Sequence, residues 1–300
     1  MISAIVMSMN NGETLEASLK SVIRSSPADK EVLVIDAHST DNTPAILAKY
    51  LGQVRVVYDL GRGLGRARNL AVKEAKGEFL AFVDSDVICA CNHFSRIEQY
   101  FKGHPDVMAL DTAGIHPRAG RNFQRMENLF WDTAEKQGFS RQYTLRGWSI
   151  AVRKSVFDVV GGFWRGGDDD IDFSLRLKEH GFKVAHLSLN SWHMPRQTLR
   201  SFLGEMALWG KNGAALYYEK RCDPTLVGEF RNRKAFKFTH NVAATSLLAY
   251  LSAPLTGIKY AVKTKCLQLY VHFVVRQYAW VYGFLKGNLN LRNAERNVKP

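Results

Sequence analysis

Phe79-Leu80-Ala81-Phe82-Val83-Asp84-Ser85-Asp86 decides the fold. Five unbroken apolar residues read as a strand, and the run stops at two carboxylates flanking one small residue. Residues two apart on an extended chain share a face, so Asp84 and Asp86 can point toward one ligand. Carboxylate oxygens suit Mg2+ or Mn2+, and a cation there would hold a diphosphate and neutralise charge as it leaves. The carboxyl end of a strand is also where open α/β sheets bind ligands. Taken alone, the D-x-D pattern equally describes two solvated acids in a turn.

Upstream, Ser3 to Ser8, Glu31 to Asp36 and Arg55 to Tyr58 read as further strands. They alternate with helical patterns: residues 13–25, with Leu15, Leu19, Val22 and Ile23 on one face; a helix from Pro44, capped by the turn Ala37 to Thr43; and Ala67 to Lys76. The rhythm predicts a mostly parallel α/β sheet. The loop Gly61-Arg62-Gly63-Leu64-Gly65-Arg66 has Arg where a dinucleotide fingerprint needs its third glycine, which disfavours an NAD enzyme. Arg62, Arg66 and Arg68 nonetheless suit diphosphate oxygens.

The chain of 300 residues is 46% hydrophobic with eight prolines, which excludes a disordered chain. Its net charge of +13 is uneven: residues 1–195 carry 24 basic and 23 acidic side chains, residues 196–300 carry 17 and 5. The basic residues of the last third punctuate apolar and aromatic stretches such as Leu267 to Leu285, which favours a lipid surface and argues against nucleic acid as partner. Cysteines 89, 91, 222 and 266 form no CxxC pair and support neither a zinc site nor a disulfide framework. The N-terminus opens on Ile2 to Met7 without a basic region or cleavage site, so the catalytic domain is expected on the cytoplasmic side.

Three stretches, 199–218, about 239–258 and about 266–285, read as helices of the last third. The first is the most amphipathic. The second contains Asn241 and Pro254, and the third His272, Arg276 and Gln277, so none is a clean membrane span. A spanning hairpin would also put Lys259, Lys263 and Lys265 on the far side, against the positive-inside tendency; shallow or re-entrant interfacial helices remove that conflict. Buried helices of a soluble subdomain are the other reading.

In order along the chain, Ile2 to Asn10, Glu31 to Thr43, Gly63 to Asn69 with Ala75 to Phe79, Asp84-Ser85-Asp86, Gly161-Gly162-Phe163 and Asp168 to Leu177 resemble the motifs of the family 2 glycosyltransferases of GT-A fold. The resemblance covers residues 2–193. It implies a Rossmann-like, mostly parallel sheet flanked by helices over residues 1–195; the basic, apolar pattern of residues 196–300 predicts an interfacial and membrane-embedded helical region after it. The resemblance implies that Asn10, Asp36, Arg66 and Asp84 bind a nucleotide-sugar donor and that Asp84 and Asp86 hold Mn2+ or Mg2+. Asp170 then becomes the catalytic base of an inverting transfer, with Asp169 the second choice.

The chemistry agrees, because a sugar hydroxyl is a poor nucleophile and a positioned carboxylate assists its attack. Four acids in five positions, 168–172, repel one another, and one could titrate high as a base should; a solvated acidic loop at a helix start is the other reading. Two departures stand out: the family commonly has Glu where this chain has Asp169, and a second acid where it has Ala37. His193, after the strand-like Lys183 to Leu189, is a candidate metal ligand and equally an ordinary satisfied histidine.

Processive relatives carry Q-x-x-R-W on an interfacial helix. Gln197-Thr198-Leu199-Arg200-Ser201 has Ser for Trp, which favours transfer of a single sugar, and Trp209 and Lys211 are candidates to line the acceptor site. By analogy with the dolichyl-phosphate mannosyltransferases the donor is expected to be GDP-mannose, with a UDP-sugar the main alternative. The expected acceptor is polyprenyl or dolichyl phosphate or a lipid-linked oligosaccharide, at a membrane. Rival readings are a soluble UDP-sugar-dependent transferase acting on polysaccharide or protein, and a non-catalytic nucleotide or nucleic-acid binder.

Overall fold

The computed structural model describes residues 1–112, 125–126, 129–130, 145–164, 168–194, 198–220 and 242–298. They fall into two compact units. The first comprises 1–112, 145–164 and 169–194, and the second 125–126, 129–130, 168, 198–220 and 242–298.

The first unit is built on a seven-stranded sheet. In chain order its elements are β1 Ile2–Ser8, α1 Leu15–Arg24, β2 Glu31–Asp36, α2 Thr43–Ala48, β3 Arg55–Tyr58, α3 Leu64–Glu74, β4 Phe79–Asp84, β5 Val87–Ile88, α4 His93–Gly103 and β6 Val107–Asp111. Then follow β7 Ser149–Arg153, the short α5 Phe157–Val160, α6 Asp169–Glu179, β8 Lys183–His186 and β9 Trp192–His193. Strand order is β3-β2-β1-β4-β7-β6-β8, with β5 and β9 forming a separate two-stranded ribbon. β7 runs antiparallel to both neighbours, while β3, β2, β1 and β4 are mutually parallel and β6 pairs parallel with β8. The sheet is thus mixed and mostly parallel, as the α/β rhythm predicts.

β1 is buried along its whole length because helices cover both faces of the sheet. Alternation along the strand divides the core: Ile2, Ala4 and Val6 pack with Leu15, Leu19, Phe94 and Ile97 on one side. Ile5 and Met7 pack with Ala67, Ala71, Phe163 and Phe173 on the other. Register then fixes the site. Met7 lies opposite Asp84 and Ser8 opposite Asp36, so three carboxyl ends finish level at the point where the strand order reverses. The antiparallel β7 begins at the same edge, with Ser149 opposite Val83.

Among its described residues the second unit contains three long helices, α7 Leu199–Lys220, α8 Val242–Thr264 and α9 Leu267–Val298. Among the described residues no helix is long and apolar enough to cross a membrane. α8 and α9 form a hairpin whose turn places Lys265 in the left-handed region (φ 53°). Tyr250 stacks on Tyr278 between the two, with centroids 4.3 Å apart.

Candidate active site

The ends of β1 and β2 are laced together by short polar side chains. Buried Asp36 accepts from Ser39 Oγ at 2.6 Å and from Ser39 N at 3.2 Å, and the same hydroxyl accepts from Asn10 N at 2.8 Å. Asn10, in the left-handed region that Asn tolerates (φ 52°), uses Oδ1 to accept from Thr40 N at 2.7 Å. Asp41 accepts from Gly12 N at 2.9 Å and Thr43 N at 3.0 Å, which satisfies orphan donors at the start of α2. The loops that follow β1 and β2 are thereby tied into one wall beside the strand-order reversal between β1 and β4.

Asp84 closes β4 with its N–H donated to the Trp148 carbonyl at 3.0 Å. Its carboxyl is pushed up to about 7, chiefly by burial; the Arg68 guanidinium offsets part of this, and the neighbouring Asp86 charge adds to it. Immediately beyond Asp86 the chain enters β5, which pairs with β9 so that Val87 faces His193. This ribbon sets His193 Nε2 3.3 Å from Asp86 Oδ1. The imidazole stacks on Trp148 with ring centroids 5.3 Å apart, and the Arg146 guanidinium lies 5.9 Å from the indole.

Two crowded carboxylates whose charged forms repel, with an imidazole nitrogen against one of them, fit a hard divalent cation in donor type. Among the described residues no three such side chains gather at ligand spacing. The chain itself offers two carboxylates, with His193 as their neighbour.

The third part is the start of α6. Arg68, buried in α3, donates Nη1 to Asp169 Oδ2 at 2.8 Å and Nη2 to the Gly147 carbonyl at 2.6 Å, with its guanidinium over the Phe163 ring at 5.5 Å. Gly147 N donates to Asp170 Oδ2 at 2.8 Å, and Ile171 N to Oδ1 at 2.9 Å. Each carboxylate oxygen keeps a further lone pair for a substrate hydroxyl. Burial first, then the adjacent Asp169 charge, pushes the Asp170 carboxyl up to about 6, against the opposing pull of Arg68 and the two backbone donors.

Two latches fix that helix start. Asn69 makes a reciprocal pair with the Phe163 backbone, at 2.8 and 2.7 Å. Arg176 grips Asp172 at 2.7 Å and the carbonyls of Val160 and Gly162 at 2.6 and 2.8 Å.

The structure therefore brings Asp84, Asp86 and His193 together at the end of β4 and gathers Asp169 and Asp170 around Arg68 at the start of α6, with Arg68 and Asp169 also acting on Asp84, while Asp36 and Asn10 hold the β1–β2 wall. Arg66 is exposed at the start of α3. Arg68, read from sequence as a diphosphate arginine, is corrected: a helical position one turn into α3 turns it inward to Asp169. Trp209 and Lys211 belong to α7 in the second unit, where Trp209 lies 5.3 Å from the Arg276 guanidinium and Lys211 is exposed. Gln197 lies outside the described residues.

Sequence reasoning missed Gly147 and Trp148. The only local signal was a glycine between Arg146 and Trp148 just before an apolar β-branched run, and its meaning depends on the antiparallel insertion of β7.

Comparison with known proteins bears on family and fold. Residues 3–161 match the profile of Glycosyl transferase family 2. A relative from Escherichia coli, UDP-Glc:alpha-D-GlcNAc-diphosphoundecaprenol beta-1,3-glucosyltransferase WfgD, is 36% identical over 94 residues, 31% of this chain and 37% of the relative. The matching stretch thus spans little more than a third of that relative's length.

Among solved structures, the mannosyltransferase PcManGT from Pyrobaculum calidifontis, in complex with GDP-Man and Mn2+, superposes with a TM-score of 0.69. The match covers 96% of this chain and 87% of that one at 17% identity. TarS (residues 1–349) from S. aureus in complex with UDP-GlcNAc gives 0.52 over 98% and 92% at 19% identity. At such identities the likeness is one of fold.

Proposed function

Because the chain belongs to Glycosyl transferase family 2, we propose that it transfers one sugar from a nucleoside-diphosphate donor to a lipid-linked acceptor, with inversion at the anomeric carbon. The observation that carries this reading is the pair of carboxylate sites. Asp84 and Asp86 stand at one strand end, and Asp170 is held by Gly147 at a helix start with its carboxyl raised to about 6.

Division of labour follows from the environments. Asp169 is committed to buried Arg68 and braces the site, whereas Asp170 accepts only weakly acidic backbone donors and retains lone pairs for the acceptor hydroxyl. A carboxylate that titrates near 6 is ionised at neutral pH yet basic enough to take the hydroxyl proton as the new bond to the anomeric carbon forms. Asp84 and Asp86 would hold Mn2+ or Mg2+, with His193 beside Asp86; when bound, the cation neutralises the diphosphate that departs. The Asn10–Ser39–Asp36 wall sits where a nucleoside would rest at the sheet's switch point, and Arg66, exposed at the start of α3, is free to meet phosphate oxygens.

A lipid-linked acceptor is supported by the basic, aromatic last third, where Trp209 and Lys211 are the proposed acceptor contacts, and by the diphosphoundecaprenol acceptor in the relative's name. GDP-mannose is the proposed donor, supported by the neighbour that shares the fold over 96% of this chain. UDP-glucose is the second reading, favoured by the 36% identical stretch.

The test is radiolabelled GDP-mannose and UDP-glucose, each with Mn2+ and with or without polyprenyl phosphate in detergent. The proposal expects label in the organic phase from one donor only when lipid is added. Label transferred equally well to a soluble glycan would overturn the acceptor class.

A further inference from the structure

The hairpin helix α8 is packed inside out for a structure in water, whereas α7 and α9 bury Phe202, Met206, Leu269, Val281 and Phe284. On α8 the residues turned inward are small: Ala253 is 1% exposed, and Gly257 and Ala261 share its face. A Cβ on Gly257 would lie 3.0 Å from the Tyr270 ring and 3.3 Å from the Tyr270 carbonyl of α9. Among the described residues of α8, the large apolar ones face outward. Leu251, Leu255, Ile258 and Val262 recur at the 4-3-4 spacing of one helical stripe, with Leu255 and Val262 each 72% exposed. Leu267 and Val271 continue the exposed apolar surface across the turn into α9.

The seam between α7 and α9 also uses small residues, here beside buried Phe202, Met206, Val281 and Phe284. A Cβ on Gly210 of α7 would lie 2.0 Å from the Trp280 carbonyl, and one on Gly283 of α9 1.8 Å from the Ala207 carbonyl, so the two helices touch backbone to backbone. Gly283 and Gly287 form a G-x-x-x-G step at this seam.

Small residues between helices and large aliphatic ones outside is the arrangement of helices solvated by lipid, whereas a water-exposed hairpin buries its leucines. Yet no described helix is long and apolar enough to cross a bilayer. Exposed Lys259 and Lys263 flank the stripe, and exposed Lys265 sits in the turn, so ammonium groups border the apolar surface where headgroups would lie.

We infer that the α8–α9 hairpin is a shallow anchor: the stripe from Leu251 to Val262 lies among acyl chains of one leaflet, while Lys259, Lys263 and Lys265 bind its anionic headgroups. The inference deepens the lipid-surface reading above by assigning the element that docks and the class of lipid it prefers. It needs no sugar chemistry to be true.

The experiment is flotation of the full chain, without donor or metal, on vesicles of phosphatidylcholine alone and with one third phosphatidylglycerol. Wild type is expected to float with the anionic vesicles, and Leu255→Glu/Val262→Glu to lose at least tenfold in partitioning. Lys259→Gln/Lys263→Gln/Lys265→Gln should keep residual binding but lose the anionic preference, by about fivefold per lysine at low salt. Circular dichroism, and donor hydrolysis in detergent unchanged from wild type, establish that both variants are folded; a milder Leu255→Ser/Val262→Ser pair serves if the glutamates unfold the hairpin.

Equal flotation of wild type and the glutamate pair would overturn the anchor. So would a wild-type dimer in solution that ignores vesicles and becomes monomeric in the glutamate pair, since a second copy would then cover the stripe. Wild type that hydrolyses donor in detergent but does not float with either vesicle would overturn the anchor and leave the proposed chemistry standing.

Discussion

At the residue scale, the neighbours Asp169 and Asp170 carry opposite duties because of what each touches. Asp170→Asn removes the base and is expected to lower kcat by about 100- to 10,000-fold. Linkage gives the stability sign. A carboxyl raised to about 6 in the folded state contributes stability that is fully present below its unfolded value and lost as pH rises through 6. At pH 7.5 the Asn variant, lacking that charge, should melt no lower than wild type in a thermal scan. Asp169→Asn should do the reverse: it strands the buried Arg68 guanidinium and costs about 3–5 kcal/mol. If Asp169→Asn melted like wild type while abolishing turnover, the two roles would be exchanged. For the wild-type enzyme, kcat should rise tenfold per pH unit up to about 6 and then level, measured with metal saturating.

Residue chemistry is largely legible in the amino-acid order alone. Adjacent acids after a buried strand, and a cluster of acids before a helical pattern, speak through their spacing. The partnership of Arg68 with Asp169 is not legible there, because the two are 101 residues apart and meet only when α3 and the start of α6 pack on the same face of the sheet.

At the scale of elements, the site depends on two small devices that bring backbone close to carboxylate. Gly147, in the lead-in to β7, has no room for a side chain: a Cβ there would lie 2.8 Å from Asp170 Oδ2 and 3.1 Å from Arg68 Nη2. Gly147→Ala should therefore push the base aside and lower kcat by about 100-fold, with donor affinity by calorimetry unchanged. An unchanged kcat would show that the Gly147 contact does not position Asp170. The β5–β9 ribbon is the second device, since its register alone sets His193 against Asp86. His193→Ala is expected to raise the Mn2+ concentration for half-maximal activity by about tenfold or more while kcat at saturating metal falls less. Equal Mn2+ binding by wild type and variant in a spin-resonance titration would remove His193 from the metal site. β1 to β4 declare themselves by short apolar and β-branched runs, but β7 owes its antiparallel place to pairing with β4 and β6, which no local pattern announces.

At the scale of the whole molecule, the chain joins a nearly charge-balanced α/β unit to a basic helical one. The helices of the second are visible in the sequence as apolar stretches, but their length is not: α9 runs from Leu267 to Val298, well past the apolar stretch ending at 285. The inside-out packing of α8 is likewise hidden, because a Leu-rich stripe and a Gly/Ala stripe on one helix do not say which faces its neighbour. The central claim remains the chemistry of the first unit, that two carboxylate centres divide metal binding from proton abstraction. It is tested most directly by release of nucleoside diphosphate from GDP-mannose and UDP-glucose in detergent with polyprenyl phosphate, comparing wild type, Asp86→Ala and Asp170→Asn in Mn2+ and in EDTA. The account predicts turnover by wild type in Mn2+ alone, restored when the metal is returned after EDTA. Asp86→Ala should need far more Mn2+, and Asp170→Asn should stay inactive at every Mn2+ concentration. Full turnover in EDTA, or an Asp170→Asn enzyme as fast as wild type, would contradict it.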